Sequence, residues 1–244
     1  MTLGAMQPYL FPYLGYYQLM NYVDVYLFCG GLQYINRGWV NRNQIVINHK
    51  KQEVHYFTFS VEKDNYKKNI NQRRYSNLKK DCDYLKRILF QNYRRASNFE
   101  EAYSVIEEAL SFKDDNVADF NVNANSVIAK YLGINSQIIN TDTIQDERFW
   151  MDFDRSDYEK RVIHLCKYFK AGGYINAIGG MSLYHTRIFS DNNIELGFLK
   201  MNDNIIYLQH GAKFVPNLSI IDVIMNNKIN ETRKLLERYQ IVKA

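Results

Sequence analysis

Proline is scarce in this 244-residue chain: Pro8, Pro12 and Pro216 are all there are, far below the usual ~5%. Any clustering among them therefore carries information. Cysteine is equally scarce. Cys29, Cys82 and Cys166 are odd in number and widely spaced, which excludes a disulfide framework and a CxxC zinc pattern and points to a reducing compartment. No window approaches ~18 uncharged apolar residues, so no membrane span is expected. The first apolar stretch lacks a basic leader and is interrupted by Gln7 and Pro8, so no secretory signal is expected either. The motifs GxxxxGKS/T, HExxH and GxSxG do not occur. P-loop, metalloprotease and serine-hydrolase chemistry are thus without support, and no metal or cofactor is expected. Repeats and low-complexity linkers are missing as well, so residues 1–244 read as a single soluble, cytoplasmic α/β domain.

What is present is ordinary globular usage. Hydrophobic residues make up 46% and charged residues 23%, which rules out a disordered chain and allows a full core without covalent staples. The net charge of +5 hides a gradient. Between Lys63 and Arg95, eleven basic residues face only Asp64, Asp81 and Asp83, so this segment is +8 and the rest of the chain −3. Tyr66, Tyr75, Tyr84 and Tyr93 are interleaved. Such a segment either follows the phosphates of a polynucleotide or is a solvated helix face beside the acidic stretch 100–119.

Apolar patterning predicts strands over Leu3–Met6 and Val25–Phe28 with a helix over Gly15–Tyr22 between them, a βαβ unit of a parallel sheet. Gln44–Ile47 and Val54–Val61 read as a hairpin joined by His49–Gln52. The period then turns helical over Asn77–Tyr93, Phe99–Phe112 and Val117–Tyr131, with Gly133 as a stop. Gln137–Ile139, Tyr174–Ile178, Ile194–Leu199 and Ile205–Gln209 read as strands. Asp157–Phe169 (stopped by Gly172-Gly173), Ser219–Met225 and Asn230–Tyr239 read as helices. The expected architecture is Rossmann-like: a mostly parallel sheet with an inserted β-hairpin and a helical insertion or cap over about 76–132.

Four segments concentrate chemistry. In the first, residues 7–18, Pro8 and Pro12 stiffen the loop after the first strand, while Gln7, Tyr13, Tyr16 and Gln18 add polar handles. Gly15 at the helix start would let a ligand approach backbone N–H groups. In the second, residues 33–43, Gln33 and Asn41 supply amides, Arg37 and Arg42 could fork onto phosphates, and Trp39 or Tyr34 could stack a base. In the third, Gly179 and Gly180 end a strand with Ser182 and Tyr184 following, an arrangement suited to an anion or to a plain tight turn. The fourth holds Gln209, His210 and, beyond Pro216, Ser219 and Asp222. Ser219 with Asp222 fits a variant capping box, and His210, between a strand and Gly211, is the best-placed general base of the five histidines. Cys29 closes the second strand either as a nucleophile or as a small buried apolar group.

At these four segments the chain resembles the WbqC-like family. The residues that carry the resemblance are QPYLFPYLGYYQL at 7–19, QYINRGWVNRNQI at 33–45, YINAIGG at 174–180 and YLQHGAKFVPNLSIIDVIMNN at 207–227. The resemblance implies a bacterial gene among O-antigen or other surface-polysaccharide loci, whose pathways make nucleotide-linked amino sugars, some acylated on nitrogen. Acidic residues are expected in relatives just before the Gln33-Tyr34 pair; this chain has Gly30 and Gly31. Tyr13-Leu14-Gly15-Tyr16 also bears a weaker likeness to the HIGH element of nucleotidyltransferases and pantothenate synthetases, but tyrosine cannot replace histidine on ATP phosphates at neutral pH.

These readings lead to an expected transferase that N-acylates or N-aminoacylates a nucleotide-linked amino sugar, glycine being among the groups such pathways attach. His210 or Asp222 would act as base. Gln7, Gln209 and Asn41 would hold sugar hydroxyls or the oxyanion, and Arg37 and Arg42 the pyrophosphate. The partners are the amino sugar and an activated acyl or aminoacyl donor, aminoacyl-tRNA among the candidates if the basic segment binds phosphates. The alternatives are a non-catalytic sugar-nucleotide or glycan binding protein and a nucleotidyltransferase-like enzyme.

Overall fold

The computed structural model describes residues 1–48, 53–64, 67–151, 157–209 and 213–243. Its first unit is β1 (Thr2–Met6), α1 (Leu14–Tyr22) and β2 (Val25–Phe28), followed by the hairpin strands β3 (Arg42–Ile47) and β4 (Glu53–Thr58). Helices α2 (Leu78–Tyr93), α3 (Phe99–Leu110) and α4 (Val117–Leu132) come next, then β5 (Gln137–Asn140), α5 (Glu147–Met151) and α6 (Tyr158–Tyr168). The chain continues with β6 (Gly173–Ala177), α7 (Thr186–Ser190), β7 (Glu195–Met201), α8 (Ile220–Asn226), α9 (Ile229–Leu236) and β8 (Tyr239–Lys243).

Six strands form one sheet in the order β5-β2-β1-β6-β7-β8, and only the β7–β8 pair is antiparallel. With the hairpin set aside, the strands run third, second, first, fourth, fifth, sixth. This is the doubly wound order, and its switch point lies between β1 and β6. Both faces are covered. One apolar cluster joins α1, α2, α3, α4, α8 and α9, through residues such as Leu14, Leu85, Ile106, Ile128, Ile224 and Leu236. The other gathers Leu3, Leu27, Phe149, Leu165, Tyr174 and Phe198 on the α5–α6 side. Strands buried on both faces explain the near-continuous apolar runs of β1 and β2.

The helical segment follows its pattern. α2 buries Cys82, Leu85, Ile88, Leu89 and Tyr93 at helical spacing. α4 starts at Asn116, whose side chain accepts from the backbone N–H of Ala118 and Asp119, and stops at Gly133 in the left-handed region at φ 74°.

The hairpin lies beside the main sheet as a two-stranded sheet of its own; its connector, His49–Gln52, lies outside the described residues. Two details differ from the sequence reading. Helix α6 stops before Gly172-Gly173: Lys170 already takes φ 55°, and Gly173 opens β6, where a Cβ would meet the Thr2 side chain at 3.3 Å. Finally, Ile205–Gln209 is not a strand. The open edge of β7 is taken instead by β8, with Gly197–Met201 paired to Lys243–Tyr239. With no strand partner left, Ile206 and Leu208 turn their side chains outward, and the segment crosses the end of the sheet as irregular chain. No helix among the described residues is long and apolar enough to cross a membrane.

Candidate functional site

The loop from Gln7 to Tyr13 leaves β1 at the switch point, and its carbonyls are held one after another. The Gln7 carbonyl accepts from the Tyr16 hydroxyl at 2.7 Å and the Pro8 carbonyl from Asn121 Nδ2 at 2.9 Å. The Tyr9 carbonyl accepts from Asn125 Nδ2 at 2.7 Å, and Asn43 Nδ2 serves Leu10 at 3.2 Å and Phe11 at 2.9 Å. Ser219 Oγ donates to the Phe11 carbonyl at 2.7 Å and the Ile220 N–H to that of Pro12 at 2.8 Å. Two of the loop's own N–H groups are removed by proline. Phe11 adopts φ 43°, a left-handed conformation that this scaffold enforces. The loop is thus a fixed wall.

Against that wall lies a crevice of about 430 Å³ at the carboxyl ends of β1, β6 and β7. Tyr9, Pro12, Tyr13 and Gly15 form one side, Trp39, Asn43 and Gln44 a second, and Ile178, Gly179, Leu199, Lys200, Met201, Asp203 and Asn217 the rest. The size suits a small organic ligand. Trp39 is 41% exposed and stacks on Tyr56 at 6.2 Å. Lys200 Nζ pairs with Asp203 Oδ2 at 2.8 Å. Gly15 has a local reason: a Cβ there would lie 2.5 Å from the Tyr13 ring, which covers the start of α1. Beyond Tyr13 a second cavity, about 470 Å³, continues along Leu14, Ile205, Tyr207, Phe214, Pro216 and Leu218.

Of the residues expected from the sequence, Tyr13, Trp39 and Gly179 line the crevice. Gln7 sits just behind it, accepting from the Tyr9 hydroxyl at 3.1 Å and donating to the Gln33 carbonyl at 3.4 Å. Gln33 and Asn41 line a separate cavity under the hairpin, together with Tyr34 and Arg73; Asn41 accepts from the Tyr34 hydroxyl and donates to the Phe59 carbonyl. Arg42 is engaged within its own loop. Its Nε donates to the Gly38 carbonyl at 3.2 Å, its Nη2 to that of Arg37, and its guanidinium lies 5.9 Å from the Trp39 ring and 5.2 Å from that of Tyr56. Arg37 is exposed at φ 59°. Gly180 rests against the Asn176 side chain, and Tyr184 accepts from Asn176 Nδ2 on the opposite face of the sheet. Tyr16 is fully buried, its hydroxyl on the loop and its pKa driven well up by burial. Gln18 is buried in the middle of α1, donating to the carbonyls of Leu235 and Arg238.

Asp222 is 1% exposed and, among the described residues, accepts from Tyr93 Oη at 2.7 Å, Tyr207 Oη at 2.9 Å and Gln209 Nε2 at 3.0 Å. Burial, reinforced by this carboxylate, holds both tyrosines well above the usual phenol pKa. Both stay protonated and donate. Gln209 also brackets Val215, through its carbonyl and its N–H, so Asp222 fixes the chain on both sides of 210–212. His210 itself lies outside the described residues. Cys29 is buried, and desolvation pushes its thiol up to about 12, so it stands as a thiol at neutral pH and not as a nucleophilic thiolate.

Sequence reasoning missed Asn43, Gln44, Lys200, Asp203 and Asn217 as crevice residues and Asn121 and Asn125 as its supports. The two asparagines left a signal, being amides inside the apolar stripe of α4. Lys200 and Asp203 left none, since a charged pair after a strand reads as a solvated turn.

Fold and geometry define an α/β protein with a crevice at the switch point of a doubly wound sheet. Within that class the chain belongs to the WbqC-like protein family, whose model matches residues 7–234. It is similar, at 26% identity over 228 residues, to the uncharacterized protein Rv1507c of Mycobacterium tuberculosis H37Rv, covering 91% of this chain and 92% of that one. No solved structure matches the chain.

Proposed function

We propose that the chain is a transferase that attaches an acyl or aminoacyl group, glycyl among them, to the amine of a nucleotide-linked amino sugar for O-antigen or other surface polysaccharide. The observation that carries this reading is the crevice: an exposed indole, amide side chains and a Lys–Asp pair surround a switch-point cavity. Trp39 offers a face on which a base stacks. Lys200 is the cation available to a diphosphate, and Gln44 and Asn217 are polar groups of the kind that bind sugar hydroxyls.

In the reaction, the amine nitrogen attacks the donor's carbonyl carbon. The bound ammonium first gives one proton to solvent so that its lone pair is free; a C–N bond then forms, the bond from that carbon to the leaving sulfur or oxygen breaks, and the base takes the second proton from nitrogen and passes it to the leaving atom. His210 is proposed as that base, and Asp222 as the group that orients its segment through Gln209 and Tyr207.

The test is product mass after mixing the protein with dTDP-linked amino sugars and activated donors, both acyl thioesters and aminoacyl-tRNA. A new amide is expected with one pairing, and His210→Ala should abolish it. Sugar binding without amide formation in every pairing would make this a binding protein instead.

A further inference from the structure

We propose that Asp203 is the residue that recognises the acceptor's amino group, at a junction where two halves of the crevice meet. The inference rests on the reading of the crevice as a nucleotide-sugar site and adds the position of the reacting nitrogen.

The cavity beside Trp39 and the one beside Phe214 share Tyr13, Met201, Asp203 and Asn217. A ligand filling the first and a second reactant entering the other would meet at these four residues. Their characters differ. The first half carries the indole, the amides of Asn43 and Gln44, and Lys200. The second is walled mainly by Leu14, Ile205, Tyr207, Phe214 and Leu218, a lining that takes apolar atoms of a donor more readily than a charged nucleotide. Among the described residues lining either half, Asp203 is the only carboxylate and Lys200 the only cation.

Asp203 is also well placed. The turn that bears it is closed by the Ile205 N–H on the Asn202 carbonyl at 3.2 Å and tied down by Arg238, whose Nη2 donates to the Asn204 carbonyl and to its Oδ1, each at 3.1 Å. The side chain itself is 84% exposed, and Lys200 holds Oδ2. Its Oδ1 accepts from no described residue. A protonated amine at the junction would give Oδ1 a hydrogen bond between two charged groups, where a sugar hydroxyl gives one in which only the acceptor is charged. Because the carboxylate is solvated, the preference should be modest, about three- to fivefold.

The experiment is isothermal calorimetry of the full chain at neutral pH and low salt, with dTDP-4-amino-4,6-dideoxyglucose and its 4-hydroxy counterpart. The amino sugar should bind about three- to fivefold tighter. Asp203→Asn should remove the difference between the two sugars, and Asp203→Glu should keep it. Equal affinities in the wild type, or a preference that survives Asp203→Asn, would overturn the role of Asp203 and leave the crevice as a nucleotide-sugar site. Binding of neither sugar would overturn that reading and the inference together. An unchanged melting temperature in Asp203→Asn confirms that the comparison is between folded proteins.

Discussion

Gly30 has the least room for a side chain of the described glycines. A Cβ there would stand 2.0 Å from Asp142 Oδ2 and 2.9 Å from the Ala118 Cβ. Asp142 is held in place, its Oδ1 accepting from Asn71 Nδ2 at 2.9 Å. Asp142 therefore brings a carboxylate into the space that a side chain at position 30 would fill, one of the two places, with position 31, where acidic residues are expected in relatives. Gly30→Ala should cost about 1–3 kcal/mol through this overpacking and lower the melting temperature by roughly 2–10 °C. A melting curve superimposable on the wild type would mean that Asp142 swings aside freely. The cap at Ser219 is legible from the sequence through its spacing to Asp222, and Ser219 does accept from the Ile221 N–H. What spacing could not convey is that the same hydroxyl donates across the molecule to Phe11, or that Asp222 meets Tyr93, 129 residues away.

Helix α4 shows how an element can be legible in outline and opaque in purpose. Its apolar period and its Gly133 stop announce it. Asn121 and Asn125 interrupt the buried stripe of Val117, Phe120, Ala124, Ile128 and Leu132. Buried amides need partners, and theirs are the switch-point loop. Asn121 donates to the carbonyls of Pro8 and Val40 and accepts from the Tyr75 hydroxyl. Asn121→Ala would leave these three groups short of a partner, at about 2–4 kcal/mol in stability, and would loosen the loop. Calorimetry with a dTDP-sugar should show weaker binding than the lower melting temperature alone explains, tested at a temperature where the variant is fully folded; unchanged affinity there would detach the loop from the site. The opposite failure occurs at Ile205–Gln209. Its apolar run satisfies the local pattern of a strand, but the edge of β7 belongs to β8, which lies more than thirty residues further on. Local pattern gives an element's type only where the tertiary partner exists.

For the molecule as a whole, the basic segment is less bare than its composition suggests. Lys68 pairs with Asp64, Arg74 with Asp115, and Lys79 and Lys86 with Asp83. Pairs of this kind weaken a continuous phosphate track. Reversing Lys79, Lys80, Arg94 and Arg95 together should leave the donor's KM and its salt dependence unchanged, as for a small donor. A steep dependence that falls by about one logarithmic unit per lost phosphate contact in the variant would instead identify aminoacyl-tRNA. The loop at the switch point has a further consequence at this scale. The groups that hold it come from far along the chain, Asn43 about thirty residues away, Asn121 113 and Ser219 208. Closing such long loops is slow because its entropy must be overcome before any contact repays it. The crevice therefore takes shape late in folding, once the first dozen residues have met both the middle and the last fifth of the chain, and a partly folded molecule presents no part-built version of it.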